Sequence, residues 1–187
     1  MHCRSTKVAV LTMCLAILGG RCYAQSAWLL QTNSGAWEKF ASEKAWQSAA
    51  LELQPLETAV IHQSSTGIAV IHDVQGESGD WRNIDRYIFR KNGSLKKLDR
   101  VFASVSQNMK LTEIFERDQY GNLRIVFKSE ITLDTGRPVS VEPDNPPLPI
   151  ILNIRHFEFS QLLGKKWITP CTPPKCDPNA TLPQHAR

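Results

Sequence analysis

Proline, cysteine and long apolar runs are scarce or confined to one part of this 187-residue chain. Ten of the eleven prolines lie at or after Pro138, so Pro55 alone interrupts the sequence before that point. The apolar run at residues 8–18 is 11 residues long, whereas a membrane-spanning helix needs about 20. No second run of membrane length follows it, so we expect no transmembrane segment in the mature chain.

The first 24 residues have the layout of a secretory signal peptide. Arg4 and Lys7 precede the apolar run, and Cys22, Tyr23 and Ala24 follow it before Gln25. We therefore expect cleavage after Ala24 and a secreted or periplasmic mature protein of 163 residues, which is close to the size of one ordinary domain.

Removal of these residues changes the net charge. The full chain has 22 basic and 18 acidic residues and a formal charge of +4. Arg4, Lys7 and Arg21 lie in the predicted signal peptide, which contains no acid, so the mature chain carries 19 − 18 = +1. The basicity of the full chain is therefore mostly a feature of export.

The cysteine content falls from five to two, because Cys171 and Cys176 alone follow residue 24. A pair of cysteines in an exported protein favours a disulfide, which here would close a short local loop. No other side chains stand at a spacing typical of metal ligands, so we expect no metal and no cofactor.

The fold class predicted from the pattern is α+β, with one N-terminal helix packed on an antiparallel meander of five to seven strands. Residues 25–164 would form a single domain and residues 165–187 a proline-rich tail. Trp37, Phe40, Ala41, Ala45, Ala49 and Leu53 recur at three- and four-residue steps. This period predicts an amphipathic helix over residues 35–53, capped by Ser34 and ended before Pro55.

Strand patterns fill the middle of the chain. Residues 59–62 and 69–72 repeat one Ala-Val-Ile-His pattern around a short loop and predict a hairpin. A second hairpin is predicted around Asn92-Gly93, a strong short-range turn signal, and a third around Gly121. In its last strand, residues 123–133, apolar and polar side chains alternate, which predicts a half-buried strand with one face against a core and the other in water.

Beyond Pro138 the pattern is less regular. Residues 143–149 are rich in proline and predict an extended connector. Residues 150–159 predict a last strand, followed by a short helical turn that ends at Gly164.

A cluster of basic residues at positions 82–100 is the strongest candidate for a functional surface. This segment contains seven Lys and Arg residues and two Asp residues, which gives a local formal charge of 7 − 2 = +5. Arg82, Arg86, Arg90 and Lys96, with the interleaved aromatic residues Trp81 and Tyr87, could bind a polyanion such as nucleic acid, an acidic polysaccharide or lipid headgroups. The structural alternative is a solvated outer face of the sheet.

Catalytic patterns are incomplete. Residues 76–80 resemble a serine-hydrolase elbow, but the second glycine follows Ser78 directly, so the spacing is wrong. His62 and His72 would lie about 13 Å apart in a hairpin, too far to share one ion. The second hypothesis for function is a small hydrolase in which His72 is the base and Asp73 or Asp80 is its partner.

These observations favour a non-enzymatic, exported binding protein over an enzyme. The partner could be a polyanion or a component of the cell envelope, and the pattern gives no oligomeric state. A third hypothesis is a structural envelope protein whose tail and helix bind a larger partner.

Overall fold

The computed structural model describes residues 25–140, 143, 147–164 and 167. Eight antiparallel strands form one sheet. The strands are β1 (Gln25–Gln31), β2 (Trp37–Phe40), β3 (Glu57–Gln63), β4 (Gly67–Gln75), β5 (Trp81–Arg90), β6 (Leu95–Ser104), β7 (Met109–Arg117) and β8 (Leu123–Thr132). Helix α1 (Glu43–Leu53) lies between β2 and β3, and two 3-10 helices, Ile154–His156 and Glu158–Leu163, follow the sheet.

The strand order is β2-β1-β3-β4-β5-β6-β7-β8, which confirms the predicted antiparallel meander. The number of strands, eight, exceeds the predicted five to seven. The hairpins after β5 and β7 are those that the glycines predicted, and Gly93 and Gly121 adopt φ angles of +85° and +87°. Local turn chemistry therefore sets the register of these two hairpins.

The inner face of the sheet carries the larger core. Residues 150–164 cross this face, and Phe157, Phe159, Leu163 and Trp167 are buried there. The strands contribute Leu29, Ile61, Val70, Tyr87, Phe89 and Leu98. The side chain of Gln63 donates a 3.3 Å hydrogen bond to the carbonyl of Trp167, which ties the end of the described chain to β3.

The outer face is covered in part by α1. Trp46 of this helix packs with Leu30 and Val60, and its indole N–H donates a 3.0 Å hydrogen bond to the carbonyl of Leu29. The helix covers the part of the sheet near β1 and β3. The outer face of β5–β8 is more exposed, with half-buried Ile84, Val101 and Ile114.

The predicted start of the helix at residue 35 is wrong. Gly35, with a φ of +81°, closes a tight turn that brings Trp37–Phe40 back along β1 as strand β2. The helix begins after Ser42, whose hydroxyl accepts a 3.2 Å hydrogen bond from the backbone N–H of Ala45. Trp37 and Phe40 therefore point to opposite faces of a strand and do not share one side of a helix.

Residues 123–133 contain a strand as predicted, but the predicted buried face is wrong, because no residue of β8 is buried. Strand β8 lies at an edge and pairs with β7 alone. The register of β7 and β8 shifts by one residue between Ile114 and Phe115, where Val126 of β8 is the extra residue, and Phe127 lies opposite Ile114 on the outer face. Ile125, Val126 and Phe127 are each about half exposed, at 52%, 58% and 48%.

The predicted strand at residues 150–159 is wrong as well. Its one bridge joins Ser94 to Asn153, and 3-10 turns follow. The backbone N–H of Leu95 donates a 2.9 Å hydrogen bond to the carbonyl of Leu152. Because neighbouring strands already occupy both edges of β5 and β6, this segment crosses the sheet and cannot join its ladder.

The predicted cleavage site and the disulfide between Cys171 and Cys176 lie outside the described residues. Within the described part of the chain, no helix is long and apolar enough to cross a membrane.

Candidate functional site

The basic cluster at residues 82–100 is divided between the two faces of the sheet. Successive side chains of a strand point to opposite faces, and directly opposed residues on neighbouring strands share a face. Arg82 and Arg86 point to the outer face, opposite Gln75 and Ile71 of β4. Trp81, Tyr87 and Arg100 belong to the inner face. The cations and aromatic residues that the sequence interleaves therefore do not form one surface.

Three of the seven cations have acidic partners. The guanidinium of Arg82 donates to both carboxylate oxygens of Asp73, with Nε 2.8 Å from Oδ1. The ammonium of Lys97 lies 3.2 Å from Asp99 and 3.3 Å from Glu116. The charges of Arg82 and Lys97 are therefore neutralised on the outer face, and these two cations are not available to hold a large anion.

Arg100 forms the third and most buried pair. It donates through Nε and Nη2 to Asp85, at 2.8 and 2.6 Å, and the Asp85 side chain is fully buried. The hydroxyl of Tyr87 also donates to Asp85, at 2.9 Å. Burial and the neighbouring carboxylate raise the pKa of Tyr87 well above its usual value. This hydrogen-bonded triad stabilises two buried charges on the inner face.

Tyr87 and Trp81 pack within the core of the inner face. The Tyr87 ring is stacked on Phe89, with a centroid distance of 5.7 Å, and meets Phe157 edge-on at 5.2 Å. Trp81 is stacked at 6.3 Å on Phe102. Both aromatic side chains are thus occupied by packing contacts rather than presented beside the basic residues.

Arg86 lies in the middle of the outer face, half-buried, with Asp99 opposite it on β6. Its Nη2 atom is buried and has no hydrogen-bond partner among the described residues. Burial and the positive charge of Arg86 together lower the pKa of His62 to about 4. His62 is therefore neutral at pH 7, and its Nδ1 lies 3.0 Å from the hydroxyl oxygen of Ser26.

The remaining cations gather at one end of the sheet. Arg90, Lys91 and Lys96 surround the hairpin between β5 and β6, are exposed, and make no ion pair with any described residue. Arg155 joins them, because the backbone N–H of Ile154 donates to the carbonyl of Gly93 at 3.0 Å. We call Arg90, Lys91, Lys96 and Arg155 the basic end.

Two acidic residues beside the basic end are already paired. Glu116 contacts Lys97, and Asp118, in the neighbouring turn between β7 and β8, accepts from Arg124 at 2.9 Å. The four cations of the basic end therefore keep their charge uncompensated by any of the described acidic side chains. This makes the basic end the clearest local concentration of positive charge that the structure presents to solvent.

The structure does not bring together the residues of the hydrolase hypothesis. His72 faces inward and lies 3.3 Å from Glu57, whereas Asp73 points outward to Arg82. Asp80 lies in the loop after β4 and accepts a 2.7 Å hydrogen bond from the hydroxyl of Ser78. His62 lies opposite Ala69, which is three residues before His72 on β4, so the two histidines point to opposite faces.

Two features of this region are not indicated by any sequence motif. Arg155 lies 65 positions after Arg90 in the sequence, and no local pattern indicates that it approaches the hairpin. The pairing of Asp85 with Arg100 was accessible in principle, because counting outward from the Asn92-Gly93 turn places these residues close together. The bulge at Ile88 and Phe89 changes that count by one.

Groups of three or more side chains able to hold a metal ion are absent from the described residues. No known family, no curated protein and no solved structure matches the chain. The geometry of the chain itself is therefore the basis for any functional assignment.

Proposed function

We propose that this protein is an exported, non-enzymatic binding protein that recognises a polyanionic partner through its basic end. The observation that carries this proposal is the contrast among the cations of β5 and β6. Arg82, Lys97 and Arg100 have acidic partners, whereas Arg90, Lys91 and Lys96 are exposed and unpaired among the described residues.

An open surface of this kind suits an extended anion better than a small one. The four cations lie around the outside of a hairpin and along the adjoining 3-10 segment. A polymer with repeated negative charges can contact several of them at once, and each contact releases counterions. The small charge of the predicted mature chain, +1, leaves this attraction local to one end of the molecule.

The test is binding to heparin and to a single-stranded DNA oligonucleotide, measured over a series of salt concentrations. The triple variant Arg90→Gln, Lys91→Gln and Lys96→Gln should bind more weakly. On the oligonucleotide, loss of three phosphate contacts should reduce the slope of log affinity against log salt by about 2.

The matched control is Lys44→Gln, Lys110→Gln and Arg137→Gln, which removes the same charge from other parts of the surface. This control should keep most of the affinity. Equal binding by the two triple variants would show that the basic end has no special role, and the proposal would fail.

The proposal that the protein is secreted or periplasmic is tested separately. N-terminal sequencing of the protein from its producing cells should give a chain that begins at Gln25. A chain that retains residues 1–24 and stays inside the cell would contradict export.

A further inference from the structure

We propose that the polyanionic partner of the basic end is the surface of an anionic lipid bilayer, an inference that rests on the proposed function. Four exposed cations alone would fit nucleic acid, a polysaccharide or lipid headgroups equally well. The distinguishing observation is the set of exposed apolar side chains at the same end of the sheet.

Antiparallel connections place the turns after β3, β5 and β7 at one end of the sheet. Tyr120, in the turn after β7, is 77% exposed. Leu152 is 47% exposed, and its carbonyl accepts the hydrogen bond from Leu95, just after the β5–β6 turn. Ile125, near the start of β8, is also half exposed. Apolar and basic side chains therefore share one end of the molecule.

This combination fits a bilayer interface for a physical reason. Cations attract the negative headgroups, and apolar side chains gain free energy by leaving water for the boundary of the acyl chains. Tyrosine suits that boundary because its ring is apolar and its hydroxyl stays hydrated. Contact with the phosphates of a nucleic acid or the sulfates of a polysaccharide would leave Leu152 and Ile125 without a comparable gain.

The opposite end of the sheet provides an internal comparison. It also exposes apolar side chains, Val105 at 69% and Leu133 at 42%. There, however, the loops at residues 76–80 and 133–137 carry three acids, Glu77, Asp80 and Asp134, against one cation, Arg137. Negative charge repels an anionic bilayer, so the asymmetry of charge orients the protein with its basic end toward the membrane.

The experiment measures co-sedimentation of the mature chain with mixed vesicles of phosphatidylglycerol and phosphatidylcholine, and with vesicles of phosphatidylcholine alone. We expect binding to the anionic vesicles that weakens as salt is added. The triple variant at Arg90, Lys91 and Lys96 should partition about a hundredfold more weakly, since each cation near an anionic surface contributes about fivefold.

The apolar variant Tyr120→Ser with Leu152→Ser should reduce partition into anionic vesicles about tenfold, because less apolar area reaches the interface. The same variant should bind heparin as the wild type does. Val105→Ser with Leu133→Ser, at the opposite end, is the matched control and should change neither measurement.

The outcomes separate the two proposals. Binding to heparin without binding to anionic vesicles would overturn the bilayer inference and leave the proposed function intact. Binding to anionic vesicles that is unchanged in the Tyr120 and Leu152 variant would also overturn the inference. Binding to neither probe would contradict both proposals.

Discussion

Asn83 provides the sharpest test of the energetics of this sheet. Its side chain is fully buried on the inner face, between Val74 of β4 and Phe102 of β6. Neither Oδ1 nor Nδ2 has a hydrogen-bond partner among the described residues. A buried polar group that makes no hydrogen bond costs about 1–3 kcal/mol, because it has lost its bonds to water.

The substitution Asn83→Leu should therefore stabilise the protein. Leucine has nearly the same branched shape, carries no polar atoms and packs favourably beside Phe102. With about 1 kcal/mol for each of the two polar groups of the amide, the low end of that range, we expect the free energy of unfolding to rise by about 2 kcal/mol. For a domain of this size, the melting temperature should rise by about 4–8 °C.

The assay is urea denaturation followed by tryptophan fluorescence, with thermal melting as a second measurement. Asn33→Leu, in the exposed turn after β1, is the matched control and should change stability little. A loss of stability in Asn83→Leu, with an unchanged dependence on urea, would refute the reasoning. It would mean that the amide of Asn83 is satisfied in solution, by an internal water for example.

Two further predictions concern buried charge. Arg100→Met should lower the free energy of unfolding, measured in urea, by about 3–5 kcal/mol, because the Asp85 carboxylate stays buried without its guanidinium partner. The double variant Asp85→Leu with Arg100→Met should lose less stability, because it leaves no buried charge. Equal losses in the two variants would contradict this account. The unfolded chain protonates the His62 imidazole near pH 6.5, whereas the folded protein does so near pH 4. As the pH drops from above 6.5 to below 4, the free energy of unfolding should therefore fall by about 3 kcal/mol more in the wild type than in His62→Gln. The measurement is urea denaturation at each pH. Parallel curves of stability against pH for the two proteins would refute this prediction.

Local signals predicted the hairpins well. Asn92-Gly93 and Gly121 supply the positive φ angles that tight turns need, and these angles depend on the turn residues themselves. The edge position of β8 could not be predicted in this way. Alternation indicates two faces, but burial depends on which strands and segments come to lie alongside, and these are set far away in the sequence.

The same limit applies to the candidate site. The sequence shows seven cations within nineteen residues, and strand alternation already implies that they point to two faces. Which of them keep an unpaired charge depends on partners on other strands. Asp73 removes Arg82 from the candidates, and Glu116 together with Asp99 removes Lys97.

The helix prediction failed over residues 35–40 because short amphipathic runs fit more than one period. Trp37 and Phe40 are three residues apart, which fits one side of a helix and also fits opposite faces of a strand. The turn at Gly35 and the free edge of β1 decide in favour of the strand.

The segment that crosses the inner face has a consequence for the order of folding. Strands β3 to β8 pair with their neighbours in sequence, so each hairpin can form soon after its own residues become available. Phe157, Phe159 and Trp167, which complete the inner core, come last and contact strands up to about a hundred residues earlier. Until these three residues have been synthesised, Ile61, Val70 and Phe89 lack the side chains that cover them. A chain synthesised from its N-terminus therefore passes through a stage in which it is prone to aggregate.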